Sequence, residues 1–432
     1  MTTFPAPGTE EFPAAVGFPG AVDGARIARV AEEFGTPVWL YEAGTVRAQI
    51  ERLRRFDVIR FAQKACSNIH ILRLMREQGV LVDSVSLGEV ERALAAGYQP
   101  GGPDDPIVFT ADLLDRPTLR RVVELGVPVN VGSPQMLEQL GRQAPGHPVW
   151  IRINPGFGHG HSRKTNTGGE QSKHGIWHEH LAESLDLADR YRLDLVGFHM
   201  HIGSGVDYGH LEAVCETMVK QVRLAGRDIR AISAGGGLSV PYAPGQPEVD
   251  TDRYFGLWDS ARREIAAELG HPVRLEIEPG RFLVAGAGLL ATEVRAQKPV
   301  GSNHFVLVDA GFNDLMRPAM YGSNHRASVL APDGEVRRDA LRDTVLAGPL
   351  CESGDVFTQA AGGEVRPVPL PRAEVGDLVV FHDTGAYGAS MSSLYNSRPL
   401  LPEVLVDGGR TRLIRRRQSV ADLLALETGL PQ

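Results

Sequence analysis

A (β/α)8 barrel of the TIM type, followed by a mostly β domain, is the architecture this 432-residue chain predicts, and three observations predict it. From Val58 to Ile277, short β-rich runs alternate with helical patterns, which calls for a parallel sheet. Eight such units in roughly 230 residues match a closed barrel, and no Gly-x-Gly-x-x-Gly follows the first run to favour a doubly wound sheet. After Ala285 the helical patterns thin out and strands follow one another across turns.

In chain order, Met1 to Gly20 is rich in Pro, Gly and Glu and lacks a basic start or an apolar stretch, so it reads as a loose tail rather than a signal peptide. Ala25–Phe34 has helical spacing and stops at Gly35; Pro37–Tyr41 is a strand outside the eight-unit count, expected to join the β domain. Residues 1–44 are therefore expected to form a tail, helix and strand joining that domain, 45–290 the barrel, and 291–432 the β domain. The barrel strands are predicted at Val58–Phe61, Val80–Val85, Ile107–Thr110, Val127–Val131, Val149–Ile153, Leu195–Met200, Ile229–Ser233 and Val273–Ile277. Apolar residues at helical spacing fill the gaps, as in Ile69–Gln78, Arg116–Leu125, His210–Leu224 and Asp252–Leu269. In the second domain, Phe305–Val308, Thr344–Leu346, Leu378–Phe381 and Glu403–Val406 read as strands, and Gly362–Val375 as a hairpin or surface loop.

Composition narrows the partners. A net charge of −8 gives no reason to expect nucleic acid or an acidic membrane surface, and no apolar run is long enough to span a bilayer. The one basic run, Arg415–Arg417, precedes a short helical pattern at Val420–Glu427 and reads as a solvated strand end or helix approach. Cys66, Cys215 and Cys351 are odd in number and lack metal spacing, which suggests free thiols in a reducing, cytoplasmic setting.

A barrel of this kind places its chemistry at the C-terminal ends of the strands. The first strand runs into Lys64, one of only five lysines among 45 basic residues. Period-two alternation groups Arg60 and Ala62 with Lys64, Arg152 with Asn154, His199 with His201, and Glu276 with Glu278, and turns these polar residues toward the barrel mouth. Gly235-Gly236-Gly237, Gly203-Ser204-Gly205 and Gly280-Arg281 can bring backbone N–H groups close to an anion. A lysine, an anion cradle, a carboxylate and a histidine ring in one mouth suit pyridoxal phosphate: the amine reaches the aldehyde, and the carboxylate keeps the pyridine nitrogen protonated. A His-x-His metal pair at His199 and His201 is the rival, but Glu278 and Arg281 at the last strand end suit a pyridinium and a phosphate better than a metal.

The stretches Phe61–Asn68, Asp83–Glu89, His199–Gly205, Gly235–Gly237, Glu278–Arg281, Asp309–Tyr321, Gly348–Asp355 and Gly385–Asn396, in this order, resemble the fold-type III pyridoxal-phosphate decarboxylases, whose barrel is alanine-racemase-like. Within that group the chain is similar to the diaminopimelate decarboxylases, from about Gly35 to Leu426, and Gly156–Gly175 resembles the enterobacterial type. The resemblance implies decarboxylation of meso-2,6-diaminopimelate to L-lysine, the last step of lysine biosynthesis. It implies that Lys64 holds the cofactor, His201 stacks on its ring, and Glu278 pairs with its nitrogen. Ser204, Gly236, Gly237, Gly280, Arg281 and Tyr387 would surround the phosphate. Arg281, Arg317 and Tyr321, with Tyr387 beside them, would take the substrate's distal carboxylate, and Glu352 its distal ammonium. Cys351 would return the proton, and with Glu352 would come from the other subunit of a homodimer. Sister decarboxylases of ornithine, arginine or lysine handle substrates without a distal carboxylate, so Arg317 with Tyr321 argues against them; Cys351-Glu352 argues against a racemase, and Lys64 with Cys351 against a non-catalytic relative. The polar loop His159–Lys173 is expected to close over the mouth.

Overall fold

The computed structural model describes residues 17–101, 105–158, 167–201, 203, 205, 207–243 and 245–430. An N-terminal strand, β1 (Val38–Glu42), precedes the barrel. The barrel strands are β2 (Val58–Ala62), β3 (Leu81–Ser84), β4 (Ile107–Ala111), β5 (Val129–Val131) and β6 (Pro148–Asn154); after a two-residue β7 (Ile176–Trp177) come β8 (Asp194–His199), β9 (Ala231–Ser233) and β10 (Arg274–Ile277). Eight of them pair in parallel in the order β2-β3-β4-β5-β6-β8-β9-β10, and β10 returns to β2 to close the ring; β7 hangs on β6.

Helices connect these strands because the sequence marks their starts locally. Asp115, Asp207 and Asp250 each accept backbone N–H bonds at the head of Arg116–Leu125, Tyr208–Ala225 and Thr251–Leu269, satisfying donors that the first turn cannot. Among the described residues, no helix is long and apolar enough to cross a membrane.

The second sheet is organised on β11 (Gly288–Val300), whose first half lies antiparallel to β1 and to β16 (Leu378–Phe381). Its second half, beyond a bulge at Val294–Ala296, pairs with β12 (Asn303–Val308). From there the sheet continues through β14 (Leu341–Ala347) to β15 (Val368–Pro371), while β13 (Ala327–Leu330) adds to β16. On the other side β1 runs parallel to β17 (Glu403–Asp407), which pairs with β18 (Arg410–Arg415). Alternation on β1 serves two cores: Val38 and Leu40 pack with Ile27 and Val30 of the helix Gly24–Phe34, while Trp39 and Tyr41 join the large core shared with the barrel.

Gly362–Val375 begins in a tight hairpin, with Gln359 bridged antiparallel to Val365, and continues into a strand, β15. One expectation changes here: the Arg415–Arg417 run is only partly solvated, since Arg415 pairs with the buried Glu403 at 2.9 Å and Arg417 donates to the Pro37 carbonyl at 2.8 Å.

Candidate active site

β2 ends at Ala62, and a single 3-10 turn, Gln63–Ala65, then carries Lys64. Lys64 therefore does not continue the strand face of Arg60; Ala62, at ψ 89°, turns the chain out of the sheet. Both neighbours of Lys64 are buried and held. The Gln63 amide donates to Ser84 Oγ at 2.6 Å and to the Glu89 carbonyl at 3.1 Å. The Ala65 carbonyl accepts the Tyr387 N–H at 2.8 Å and the Ser390 hydroxyl at 3.1 Å, so the β domain clasps the turn from above. Lys64 alone is exposed, and it lines a cavity of about 890 Å³ at the barrel mouth.

Across that cavity lies Glu278, just past the end of β10. Its Oε2 is 2.8 Å from His199 Nε2, and its Oε1 accepts the Ser233 hydroxyl at 3.0 Å. Burial by itself would raise this carboxyl, but His199 and Ser233 together outweigh it and hold the group at about 2. Asp83, buried on β3, goes the other way: burial and then the charge of Glu278 push it up to about 7. Glu276 lies deeper than the sequence suggested; it binds Arg60 at 2.5 Å and Arg274 at 2.8 Å below the mouth rather than in it.

His199 and His201 serve separate partners instead of converging on one point. His201 Nδ1 accepts the Gly236 N–H at 3.2 Å, which leaves its proton on Nε2, and burial with the nearby Arg152 keeps the ring neutral. Gly236 and Gly237 are required by close approach: a Cβ would come within 2.4 Å of the Glu278 carbonyl at the first and 2.3 Å of the Gly203 carbonyl at the second, where φ is also +99°. Gly280 packs on the Lys64 turn, where its Cβ would meet Ala62 and Ala65 at about 3.2 Å. Ser204 lies outside the described residues.

On the far wall stand Arg281, which opens the short helix Arg281–Val284, and Arg317, which opens Arg317–Tyr321. Arg281 donates to the Tyr242 hydroxyl at 2.9 Å and lies over the Tyr387 ring at 5.2 Å; Arg317 lies over the Tyr242 ring at 4.8 Å. Neither guanidinium has a carboxylate partner among the described residues. Burial, and then the charge of Arg281, lower the pKa of Arg317. Tyr321 lines the same wall.

Cys351 and Glu352 do not line this cavity. Both are exposed; Asn396 accepts the Cys351 N–H at 3.2 Å, and the Tyr395 hydroxyl donates to Glu352 at 2.5 Å. Cys66 and Cys215 are buried thiols, pushed up to about 12 by burial, and stay clear of the cavity. Of the predicted closing loop, residues 159–166 lie outside the described residues. Its end is tied down where it is described: the Thr167 hydroxyl donates to the His201 carbonyl at 3.0 Å, and His174 pairs with Asp112.

Sequence reasoning missed Tyr242 and His325 and left Asp83 and Arg152 without a role. Arg152 and Asp83 sit at strand ends and were within reach of the alternation argument; Tyr242 lies in the irregular stretch after β9, where no periodicity marks it.

The residues fit pyridoxal phosphate. Arg152 Nη2 and Asp83 Oδ1 are buried polar atoms with no hydrogen-bond partner among the described residues, on the wall that holds Lys64 and Glu278, and such atoms call for a polar group from outside. Gly236 and Gly237 line the same cavity, with no side chain between their backbone and that space.

Residues 44–285 match the pyridoxal binding domain of the pyridoxal-dependent decarboxylases. The chain is 80% identical over 427 residues to the diaminopimelate decarboxylase of Streptomyces coelicolor, covering 99% of this chain and 96% of that one. It is 68% identical over 400 residues to that of Escherichia coli, covering 92% and 95%. A crystal structure of diaminopimelate decarboxylase superposes with a TM-score of 0.92 at 66% identity, covering 94% of this chain and 97% of the other. On this footing the chain belongs to the pyridoxal-dependent decarboxylases and, within them, to the diaminopimelate decarboxylase family.

Proposed function

We infer that the protein decarboxylates meso-2,6-diaminopimelate to L-lysine and carbon dioxide with pyridoxal phosphate, the last step of lysine biosynthesis. The observation that carries the substrate reading is the pair of arginines, Arg317 buried and Arg281 half-buried, facing one cavity with no carboxylate partner among the described residues. One anion is the cofactor's phosphate; a second carboxylate on the substrate answers the other. When bound, the cofactor supplies a protonated pyridine ring that takes up the electron pair left when carbon dioxide departs.

The chain supplies the rest. Lys64 offers the amine that holds the cofactor, from a turn anchored on both sides. Glu278, kept ionised by His199 and Ser233, carries the negative charge that a pyridinium nitrogen needs. His201, neutral and fixed by Gly236, presents a flat uncharged face. Gly236, Gly237, Gly280 and Arg281 surround the phosphate, with Ser204 and Tyr387; Arg281, Arg317, Tyr321 and Tyr387 hold the distal carboxylate, for which a planar guanidinium fork is geometrically selective. Cys351 of the partner subunit returns a proton to the carbon, and Glu352 of the partner subunit receives the distal ammonium. The exposure of both on one chain, away from the cavity, supports this sharing. The three unpaired thiols support a reducing, cytoplasmic setting.

Carbon dioxide release from meso-diaminopimelate, with L-lysine, ornithine and arginine in parallel and pyridoxal phosphate added, tests the reaction. Release from diaminopimelate alone, abolished in Lys64→Ala, is expected; release only from a mono-carboxylate amino acid would overturn the role of Arg317. Mixing inactive Lys64→Ala and Cys351→Ala chains tests the shared site. Intact sites reform in mixed dimers, restoring about a quarter of wild-type activity if subunits exchange freely. A mixture that stays inactive despite demonstrated exchange rules out sharing.

A further inference from the structure

We propose that His325 is a positioning residue for substrate selection: it fixes the guanidinium of Arg317 toward the cavity through a neutral acceptor that leaves the arginine's charge unspent. The inference rests on the reading of Arg317 as a carboxylate ligand. His325 is buried, and its two ring nitrogens have defined partners. Nδ1 lies 2.9 Å from the His382 carbonyl, which can only accept, so Nδ1 carries the proton. Nε2 is then a lone-pair acceptor, and Arg317 Nη1 donates to it at 2.9 Å. The tautomer is thus set by the backbone of β16's far end rather than by the arginine. Burial, and then the charge of Arg317, push the ring down to about 3, so it stays neutral at working pH.

The choice of acceptor has a chemical consequence. A carboxylate at this position would hold Arg317 more tightly but neutralise it, and would compete with the substrate's own carboxylate. A neutral imidazole restricts the guanidinium without lowering its charge. Tyr242 completes the clamp: its ring faces Arg317 at 4.8 Å and meets the His325 ring edge-on at 5.4 Å and 81°. With one edge on His325 and one face on Tyr242, Arg317 is oriented before substrate arrives, and pre-organisation of this kind strengthens binding by removing an ordering cost.

Kinetics on the holoenzyme, with L-lysine binding measured by calorimetry, test the proposal; L-lysine keeps the carboxylate that is not lost. His325→Asn keeps an amide donor near the Nδ1 position but removes the acceptor for Arg317, whereas His325→Gln restores an acceptor near Nε2. The expected result is a rise of about tenfold in KM for meso-diaminopimelate and in Kd for L-lysine in His325→Asn. kcat should change by less than about threefold, cofactor affinity should be unchanged, and His325→Gln should recover most of the loss. Unchanged KM in His325→Asn while Arg317→Leu raises it overturns the role of His325 alone; unchanged KM in Arg317→Leu overturns the reading of Arg317 on which it rests. Nitrogen-15 NMR on the unaltered protein gives an independent arm: a protonated Nδ1 and bare Nε2 at His325 support the proposal, and the opposite tautomer overturns it.

Discussion

Both ends of the barrel bury arginine, and they treat it in opposite ways. At the floor, Arg60 and Glu276 are each only 1% exposed and meet at 2.5 Å, with Arg274 on the second carboxylate oxygen and the Asp105 carbonyl on Arg60. At the mouth, Arg152 and Arg317 are buried and Arg281 is half-buried; Arg281 and Arg317 donate to partners that carry no formal charge, and Arg152 Nη2 has no hydrogen-bond partner among the described residues. A buried charge costs several kcal/mol unless it is matched, so a chain that leaves Arg281 and Arg317 beside one cavity with no carboxylate partner among the described residues has built a receptor for anions. The floor is structure; the mouth is a site waiting for its counter-charge.

That contrast can be broken by substitution. The largest effect on stability is expected at the floor: Glu276→Leu strands Arg60 in the interior and should lower unfolding stability by about 3–5 kcal/mol in a denaturant titration. No loss there would mean the floor pair is not holding the barrel. At the mouth the sign of the stability effect reverses. Arg317→Leu should leave the apoprotein as stable or more so, because it removes an unmatched cation, while KM for meso-diaminopimelate rises about a hundredfold. A destabilised Arg317→Leu with unaltered KM would erase the distinction between the two ends.

Acid titration sharpens the comparison. Glu278 sits below its ordinary 4.5, at about 2, so it adds stability above pH 4.5 that is lost as pH falls toward 2. Glu278→Gln should flatten the stability–pH curve across that window, as read from melting temperatures of the apoprotein; an unaltered slope would refute the assignment. The smallest effect is expected on the outer surface, where Arg227 and Asp189 pair at 2.6 Å in solvent: Arg227→Ala should shift stability by no more than ~1 kcal/mol.

Much of this was legible in the sequence, for reasons that differ by region. The eight barrel strands announced themselves because each is buried on both sides and reads as a short apolar run between helices with local caps. The β domain was only half visible. β18 reads Arg-Thr-Arg-Leu-Ile-Arg and is mostly exposed, and β15 carries two prolines, so neither shows an apolar alternation. β11 is apolar at first and polar beyond Glu293, because its halves serve different sheet partners; no single period describes it. Lys64, His201, Glu278, Arg281, Arg317, Tyr321 and Tyr387 were picked out and do line one cavity. Alternation misjudged Glu276, since a shared face says nothing about depth along the barrel axis. His325 and Tyr242 escaped because each acts on an arginine brought beside it by the fold: His325 from the segment after the Arg317 helix, Tyr242 from across the mouth.

The clasp on the Ala65 carbonyl also orders events in time. Its donors, Tyr387 and Ser390, follow Ala65 by more than 320 residues, and Ser390 is separated from it by 325. A ribosome that has released the whole barrel has yet to make either of them. The turn that presents the reactive amine is therefore completed only near the end of synthesis, and a chain truncated before Tyr387 carries every barrel strand yet lacks the lock on its own lysine.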